Sequence, residues 1–352
     1  MQKKLLALLL SFALAATLLA GCSSSSGSAT ATPTAAPEAT PTESTQLDHL
    51  TLQLKWIDHS QFMGYLVAKE KGYYEDEGID IEILAGGSDI IPEQNVYNGV
   101  ADIGVTWVSS LMTYQAQGYD LTEVAQMFQN SGLLLVSKKS SGINSPADLA
   151  GKKIGSWFGG NEYEVYALLE KYGLMDSVTM VQQDYTMDQV AEGSIDAASA
   201  MTYNELKLFY NEGFSEDEVN VIDMNEEGVA MLEDCLFCTN EWAEANHDLL
   251  VRFLRASIKG WKEALADTDA AGTLCYNYCG SISEAHQQYM AAEVAKLVAP
   301  EGFDTNKIGY IDMDAVQQTA DYLVKYNKDL AATPVVDETT FNSTYWKEAT
   351  GN

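Results

Sequence analysis

Aromatic and polar side chains follow several of the predicted β-strands of this chain, at the positions where a small-molecule site would need them. The aromatic residues at these strand ends are Trp56, Trp107, Trp157, Phe158, Tyr185 and Tyr203. The polar residues at or near them are Asp58, Gln61, Ser109, Gln129, Asn161, Asn204 and Glu205. Aromatic walls with a few directed polar groups suit a planar, heteroaromatic molecule, because its ring faces stack and its polar edge is held in one orientation.

Two of these segments predict specific hydrogen bonds to such a molecule. The carboxylate of Glu205 can accept a hydrogen bond from an exocyclic amine or a ring N–H. Gly159 and Gly160 lead into a predicted helix, where free N–H groups favour a carbonyl or anionic oxygen. Tyr65, in the helix that follows the first strand, completes the predicted set of ligand-binding residues.

The sequence lacks several common enzyme motifs. No G-x-S-x-G, H-E-x-x-H, G-x-G-x-x-G or P-loop pattern occurs in it. Of the four histidines, only His59 lies near a predicted strand end, and both a ligand contact and a structural role stay open for it. We therefore expect a protein that is not an enzyme, with no catalytic residue, no cofactor and no metal site.

The cysteines downstream of the N-terminal segment leave three alternatives open. They are Cys235, Cys238, Cys275 and Cys279. The last two lie in an aromatic, helix-like stretch, where a free cysteine packs as a small hydrophobic residue. Free, buried thiols are the favoured interpretation, and a disulfide or a metal site is the alternative.

One order of elements, β-α-β-α-β, occurs twice along the chain. The first copy comprises residues 50–56, 60–71, 79–84, 91–98 and 101–106. The second copy comprises residues 152–157, 161–172, 177–183, 186–192 and 195–200. Alternating strands and helices predict parallel sheets covered by helices on both faces. The predicted fold class is therefore α/β, with two doubly wound lobes.

The remaining elements join these two lobes. Residues 133–138 are interpreted as a connecting strand, and a return crossing is expected within residues 219–225. Two crossings form a hinge, and ligands bind beyond the carboxyl ends of parallel strands, so we expect the site in a cleft between the lobes. The predicted boundaries are 47–137 for the first part of lobe 1, 138–222 for lobe 2 and 223–352 for the return to lobe 1. C-terminal helices are predicted at 241–256, 258–267, 282–298 and 314–326.

The N-terminal segment is predicted to lie outside the fold. A lysine pair precedes an apolar run that ends in Leu19-Ala20-Gly21-Cys22, which resembles a bacterial lipoprotein box. That resemblance implies removal of residues 1–21 as a signal peptide and a lipid on the Cys22 sulfur; the alternative is an ordinary secretory signal. Residues 22–46, rich in Ser, Thr, Ala and Pro, are expected to form a flexible stalk. We expect the mature protein to be lipid-anchored on the extracytoplasmic face of the cell membrane.

The charge of the chain argues against nucleic acid as a partner. The 352 residues include 51 acidic and only 20 basic side chains, for a net charge of −31. A chain this acidic is repelled by phosphate backbones. Its length allows two domains, and we expect a monomer.

Several segments resemble the substrate-binding proteins of ABC importers. The similar group is the one that includes binders of thiamine pyrimidine precursors, riboflavin, alkanesulfonates and nitrate. The similarity runs from about residue 47 to residue 261 and is carried by residues 54–56 (LKW), 61–68 (QFMGYLVA), 71–80 (KGYYEDEGID), 98–104 (NGVADIG) and 145–155 (SPADLAGKKIG).

This resemblance implies a type II periplasmic-binding-protein fold that closes about a hinge on one small molecule and delivers it to a membrane permease. Tyr203-Asn204-Glu205 is similar to the Asn/Tyr/Glu segment with which pyrimidine-precursor binders hold an aminopyrimidine. It favours a thiamine-precursor or flavin-like ligand. A sulfonate- or nitrate-type anion is the alternative, and Asp58 and Glu205 oppose it.

The same superfamily contains thiamine pyrimidine synthases, which consume one of their own histidines. Aligned on the Lys-Gly-Tyr-Tyr run, that histidine falls at Phe62. Residues 235–238 (CLFC) match only a fragment of the cysteine-rich iron motif of those enzymes. Both departures favour a binding protein over a synthase. A third interpretation is the sensing domain of a signalling system, but we expect no transmitter domain to follow residue 352.

Overall fold

The computed structural model describes residues 46–352. The predicted signal peptide (1–21), the predicted lipidation site at Cys22 and all but the last residue of the predicted stalk (22–46) lie outside the described residues. Among the residues that are described, no helix is both long enough and apolar enough to cross a membrane.

The first sheet contains five strands. These are β1 (Asp48–Gln53), β2 (Ile79–Leu84), β3 (Ile103–Thr106), β4 (Leu121–Gln126) and β10 (Cys235–Thr239). Their order across the sheet is β2-β1-β3-β10-β4. The first three are parallel, with Leu52 of β1 opposite both Ile83 and Ile103, whereas β10 runs antiparallel to its two neighbours. The apolar residues of β2 alternate with exposed ones and bury one face, whereas residues 50–53 of β1 are buried on both faces, as expected for a strand inside the sheet.

The second sheet repeats this arrangement. Its strands are β5 (Leu133–Lys138), β6 (Lys153–Ser156), β7 (Thr179–Gln182), β8 (Ala197–Met201) and β9 (Val219–Asp223). Their order is β7-β6-β8-β5-β9, and β5 is the antiparallel strand, with Leu135 opposite Ser199 and Ile222. The predicted α/β fold with two similar lobes is confirmed.

The crossings between the lobes lie at positions that differ from the predicted boundaries. β5 pairs along its length with β8 and β9, so the chain has entered the second lobe before Leu133, and not at residue 138. The first crossing is therefore residues 127–132. The return crossing is residues 224–234, because residues 219–223 form a strand of the second sheet. An apolar run such as Leu133–Lys138 must pair its backbone groups when it is buried, which a simple connecting segment would not do.

Helices cover both sheets. They are α1 (Met63–Glu70), α2 (Tyr73–Asp76), α3 (Pro92–Tyr97), α4 (Val108–Ala116), α5 (Glu162–Lys171), α6 (Asp188–Glu192), α7 (Glu205–Asn211), α8 (Asn240–Ala245), α9 (His247–Ala266), α10 (Thr268–Tyr278), α11 (Glu284–Val298), α12 (Met313–Tyr326) and α13 (Thr344–Thr350). Residues 247–266 form one helix where the sequence predicted a break near residue 257. Its apolar residues keep one face buried along the whole length, so no interruption is required.

Helices α1 and α9 pack closely and support the segment that carries the first-lobe part of the site. A Cβ on Gly260 would lie 2.2 Å from the backbone oxygen of Gly64, so the two glycines permit this approach. Trp261 covers Gly64 in turn and lies edge-on to Tyr65, with ring centroids 5.5 Å apart. The residues just before α1, which include His59 and Gln61, are thereby held on a rigid base.

The four cysteines at 235, 238, 275 and 279 are free and buried. Within residues 46–352, no group of three or more His, Cys, Asp or Glu side chains is arranged to hold a metal ion. Cys235 and Cys238 are buried in β10, between β3 and β4 of the first sheet, so they pack as small apolar residues there.

Candidate ligand-binding site

A cavity of about 470 Å³ lies between the two lobes. It is lined from the first lobe by Trp56 and Trp107, which follow β1 and β3, and from the second lobe by Trp157 and Tyr203, which follow β6 and β8. These are the carboxyl ends of the parallel strands, where a ligand site is expected in such sheets.

Most of the residues assigned to the site from sequence line this cavity. They are Trp56, Gln61, Trp107, Trp157, Gly159, Gly160, Tyr203, Asn204 and Glu205. Phe158 and Tyr185, two further aromatic residues of the strand-end set, line it as well. Side chains that follow the ends of the strands therefore meet in one cavity, although they are up to 149 positions apart in the sequence, from Trp56 to Glu205.

Two predicted site residues lie behind the cavity wall. Ser109 and Asn161 are 2% and 3% exposed, and Asn161 accepts a hydrogen bond from Ser156 at 3.4 Å. A Cβ on Gly160 would come within 2.8 Å of the Ser109 hydroxyl oxygen. Ser109 therefore packs against the glycine loop of the other lobe instead of facing a ligand.

Three further predicted residues are directed elsewhere. Tyr65 is buried in the first lobe against Trp261. The side-chain amide of Gln129 donates to the backbone oxygens of Gln126 and Tyr310, which hold it in the first crossing. Asp58 is half-buried in the turn before α1 and is not part of the cavity lining. Proximity to a strand end did not determine the direction of these side chains.

Lys55 and Glu93 line the cavity but were not assigned to the site from sequence. Nζ of Lys55 lies 3.3 Å from Oγ1 of Thr106 and 4.9 Å from the centre of the Trp107 ring. Thr106 in turn donates to Oε1 of Glu93 at 2.6 Å. Lys55 directly precedes Trp56, and this position at a strand end was the available signal.

His59 lines the cavity and is 1% exposed. Its Nδ1 lies 2.6 Å from the sulfur of Met290, and its Nε2 has no hydrogen-bond partner within residues 46–352. Burial lowers the pKa of His59 to about 3, with a further contribution from the charge of His286. The ring is therefore neutral at physiological pH, and a role in ligand contact stays a prediction.

Gln61 is oriented by a buried carboxyl group. Its side-chain nitrogen donates to Oδ2 of Asp234 at 2.8 Å, so its oxygen is left as the acceptor. Burial raises the pKa of Asp234 to about 7, while the bond from Gln61 and the charge of Lys55 lower it. Asp234 has a φ of 42°, a strained conformation for a residue other than glycine, and such strain is often found at functional sites.

Glu205 is the first residue of α7 and is 6% exposed. Its Oε2 accepts from the backbone N–H of Met201 at 2.9 Å, and its Oε1 accepts from the side-chain amide of Asn204 at 2.7 Å. Burial raises the pKa of Glu205, and these hydrogen bonds oppose that rise. A carboxyl group held in this way retains acceptor capacity for a ligand N–H.

The glycine loop differs from the predicted anion cradle. Phe158, Gly159 and Gly160 all have positive φ values, of 61°, 80° and 136°. The N–H of Gly160 donates to Oε2 of Glu162 at 2.8 Å, so that donor is already paired within the protein. The loop therefore shapes the cavity and approaches Ser109 of the other lobe closely.

The lobes also touch at the edge of the cavity. The rings of Trp56 and Tyr185 lie 4.9 Å apart at an angle of 44°, and each comes from a different lobe. Both rings line the cavity. The two lobes are therefore in aromatic contact across the cleft.

Comparison with known proteins relates this fold to two kinds of protein. Residues 59–271 match the family described as NMT1/THI5 like. The chain is 28% identical over 253 residues to a riboflavin-binding protein, RibY, of Chloroflexus aurantiacus. The matched region covers 66% of this chain and 67% of the relative. The chain is also 26% identical over 239 residues to a 4-amino-5-hydroxymethyl-2-methylpyrimidine phosphate synthase of Saccharomyces cerevisiae. The matched region covers 62% of this chain and 68% of the enzyme.

A further relative and a solved structure extend the similarity over most of the chain. The formylaminopyrimidine-binding protein of Halalkalibacterium halodurans is 22% identical over 314 residues, which covers 86% of this chain and 92% of that protein. The aliphatic sulphonate-binding protein SsuA of Escherichia coli superposes with a TM-score of 0.67 at 16% identity over 84% of this chain and 93% of SsuA. That structure supports the periplasmic-binding-protein fold. The family model covers more than half of the sequence, and the chain belongs to the NMT1/THI5-like family.

Proposed function

We propose that this protein is the extracytoplasmic solute-binding component of an ABC importer and that it captures a small heteroaromatic nutrient between its two lobes. The observation that carries the proposal is the cavity itself. Three tryptophans and Tyr203 line it together with the Glu205 carboxyl group. Flat rings can stack on such walls, and each stacked pair contributes about 0.5–1.5 kcal/mol beyond the burial of apolar surface.

The polar groups of the cavity favour a ligand with a hydrogen-bond-donating edge. Gln61 is oriented so that its oxygen accepts, and Glu205 also accepts. Among the described residues that line the cavity, Lys55 is the only lysine or arginine, whereas Glu93 and Glu205 are acidic. This set suits an aminopyrimidine or the imide edge of a flavin better than a sulfonate or a nitrate.

The relatives support the same two ligand classes. One is described as riboflavin-binding and another as formylaminopyrimidine-binding. Both names denote binding of a planar nitrogen heterocycle. We extend the binding of a planar nitrogen heterocycle to the present chain, because its cavity presents aromatic and acceptor groups at the carboxyl ends of the parallel strands in both sheets.

A thiamine pyrimidine synthase activity is the second candidate, because a yeast enzyme of that description is among the relatives. Residues 235–238 match only a fragment of the cysteine-rich iron motif that the resemblance gives such enzymes, and the two cysteines there are buried in β10 of the first sheet. We therefore favour binding without turnover.

The N-terminal segment belongs to the same proposal. A lipid on Cys22 and a stalk over residues 22–46 would hold the binding lobes near a permease in the membrane. Labelling of cells with a radioactive fatty acid tests this directly. The protein should incorporate the label, and a Cys22→Ala variant should be released unlabelled into the medium.

Thermal unfolding with a panel of compounds tests the ligand class. The panel is riboflavin, formylaminopyrimidine, 4-amino-5-hydroxymethyl-2-methylpyrimidine and an alkanesulfonate, each added without iron. A heteroaromatic compound at about 100 times its dissociation constant should raise the free energy of unfolding by about 2.7 kcal/mol. Trp157→Ala should abolish the shift, whereas Gln129→Ala, outside the cavity, should retain it. A shift with the sulfonate alone, or consumption of the protein's histidine with iron, would contradict the proposal.

A further inference from the structure

Helix α11 of the first lobe reaches a turn of the second lobe. Nε2 of His286 lies 2.9 Å from the side-chain oxygen of Asn204, and the hydroxyl of Tyr289 donates to the backbone oxygen of Thr202 at 2.9 Å. Residues 202–204 connect β8 to α7, directly before Glu205. Two hydrogen bonds thus join the lobes beside the proposed ligand acceptor.

The same helix fixes the first-lobe wall of the cavity. The side-chain oxygen of Gln287 accepts from both the backbone N–H and the hydroxyl of Ser60, at 2.9 and 2.6 Å. The sulfur of Met290 lies against Nδ1 of His59. One turn of α11 therefore contacts both walls of the cavity, since His286 and Tyr289 hold the opposite lobe.

The bonds of Asn204 determine the orientation of its amide. Its nitrogen donates to Oε1 of Glu205 at 2.7 Å, so its oxygen must be the atom that faces His286. Nε2 of His286 is therefore the protonated ring nitrogen and donates. Without that donor, the amide could rotate by about half a turn and place its oxygen against the Glu205 carboxylate, which would turn the carboxylate away.

We infer that His286 and Asn204 form a latch that closes the cleft and at the same time aims Glu205 at the ligand. The inference rests on the proposed function of the cavity. It states that closure of the cleft and recognition of the ligand are coupled through these two residues. Asn204 is then a positioning residue, although it lines the cavity. Selection of a ligand with a donor edge depends on His286, which approaches Asn204 only when the lobes are together.

The test compares three variants of the full-length protein. His286→Leu removes the donor, His286→Gln retains an N–H group, and Tyr289→Phe removes only the neighbouring inter-lobe bond. The probes are riboflavin and 3-methylriboflavin, and formylaminopyrimidine and its form with two methyl groups on the exocyclic amine. Each methylated probe lacks a hydrogen that Glu205 would accept.

We expect His286→Leu to reduce the preference for the unmethylated probe by about tenfold, because a charge-assisted hydrogen bond is lost. His286→Gln should retain the preference of the wild-type protein. Tyr289→Phe should weaken binding of both members of a pair equally and leave the preference unchanged. Unchanged preference in His286→Leu, or equal weakening of both members, would overturn the latch.

Hydrogen exchange measured by mass spectrometry separates a failure of the latch from a failure of the proposed function. Binding of no probe by the wild-type protein would contradict the proposed function alone. In that event, His286→Leu should still speed amide exchange at Met201, whose N–H is bonded to Glu205, relative to Tyr289→Phe. Equal exchange in the two variants would overturn the latch.

Discussion

Ser131 lies between two buried carboxyl groups where the chain crosses from the first lobe to the second. Its hydroxyl oxygen is 3.1 Å from both carboxyl oxygens of Glu164 and 3.2 Å from Oε1 of Glu233. Burial raises the pKa of Glu164, and the neighbouring Glu233 raises it further. Burial likewise raises the pKa of Glu233 to about 8. At neutral pH the pair therefore retains a proton, which limits the repulsion of two charges at the hinge.

Glu123 is a single buried carboxyl group whose protonation makes stability depend on pH. It is fully buried in β4, neither of its carboxyl oxygens has a partner within the described chain, and burial raises its pKa from 4.5 to about 8. The folded protein keeps a proton that the unfolded chain releases above pH 4.5. Burial of Glu123 therefore leaves the free energy of unfolding undiminished below pH 4.5. Between pH 4.5 and about pH 8 the free energy of unfolding falls, because the folded state must hold a proton that the unfolded state has lost.

We expect Glu123→Gln to be more stable than the wild-type protein at pH 8 by about 2–4 kcal/mol, since each pKa unit corresponds to about 1.4 kcal/mol. The difference should vanish near pH 4.5. Urea unfolding at the two pH values measures it, with Glu338→Gln, on the surface, as the control. A wild-type stability that does not fall between pH 5 and pH 8 relative to Glu123→Gln would contradict the assignment.

Glu205→Gln tests the acceptor of the proposed site. Loss of the charged acceptor should weaken binding of the best heteroaromatic probe by about tenfold, because a hydrogen bond to a charged group contributes about 1.5–3 kcal/mol. Titration calorimetry measures the dissociation constant. Asp58→Asn, outside the cavity lining, is the matched control and should bind as the wild-type protein does. Equal affinity of Glu205→Gln and the wild-type protein would remove Glu205 from the site.

Single residues could be located from sequence only to the level of the strand end. Trp56, Trp107 and Trp157 were identified because they follow parallel strands. Gln129 was misplaced because its side chain is held by two backbone oxygens in the first crossing, one of them from Tyr310. Such contacts depend on segments far away in the sequence, and no local pattern encodes them.

At the scale of elements, local periodicity identified both β-α-β-α-β units but not the antiparallel strand that enters the first sheet from the return crossing. β10 contains residues 235–238, whose two cysteines are also compatible, in sequence alone, with a metal site or a disulfide. The strand is recognisable only by its pairing with β3 and β4, more than 100 residues earlier. Pairing over that distance follows from the fold as a whole.

The contact between α1 and α9 gives a prediction at this scale. An added methyl group at Gly260 would overlap the backbone of Gly64, so Gly260→Ala should lower the free energy of unfolding by about 1–3 kcal/mol. Gly280→Ala is the matched control, because its Cβ would meet no atom within 4 Å. Thermal unfolding measures both variants. Equal melting temperatures would show that the helices can separate without cost.

At the scale of the whole molecule, the glycine loop of the second lobe packs closely against the first lobe at Gly160. A Cβ there would lie 2.8 Å from the hydroxyl oxygen of Ser109, whereas one on Gly159 would meet no atom within 4 Å. Both glycines have positive φ, so alanine causes backbone strain at either position. The difference between the two variants therefore isolates the contact between the lobes.

We expect Gly160→Ala to weaken ligand binding by about tenfold or more relative to Gly159→Ala, because closure is obstructed. Replacement of Ser109 by alanine in the Gly160→Ala background should restore part of the affinity. Stopped-flow measurements should place the change mainly in the dissociation rate. Identical binding by Gly160→Ala and Gly159→Ala would show that the lobes need not meet at this loop.

A crystal structure of the protein with its best heteroaromatic probe is the decisive measurement for ligand capture between the two lobes. We expect a flat ring in the cavity between the lobes, in contact with Trp56 and Trp157 and with a ring or exocyclic N–H directed at Glu205. A probe bound on the outer surface of one lobe, or a ring in the cavity with no contact to a residue of the second lobe, would contradict capture between the lobes.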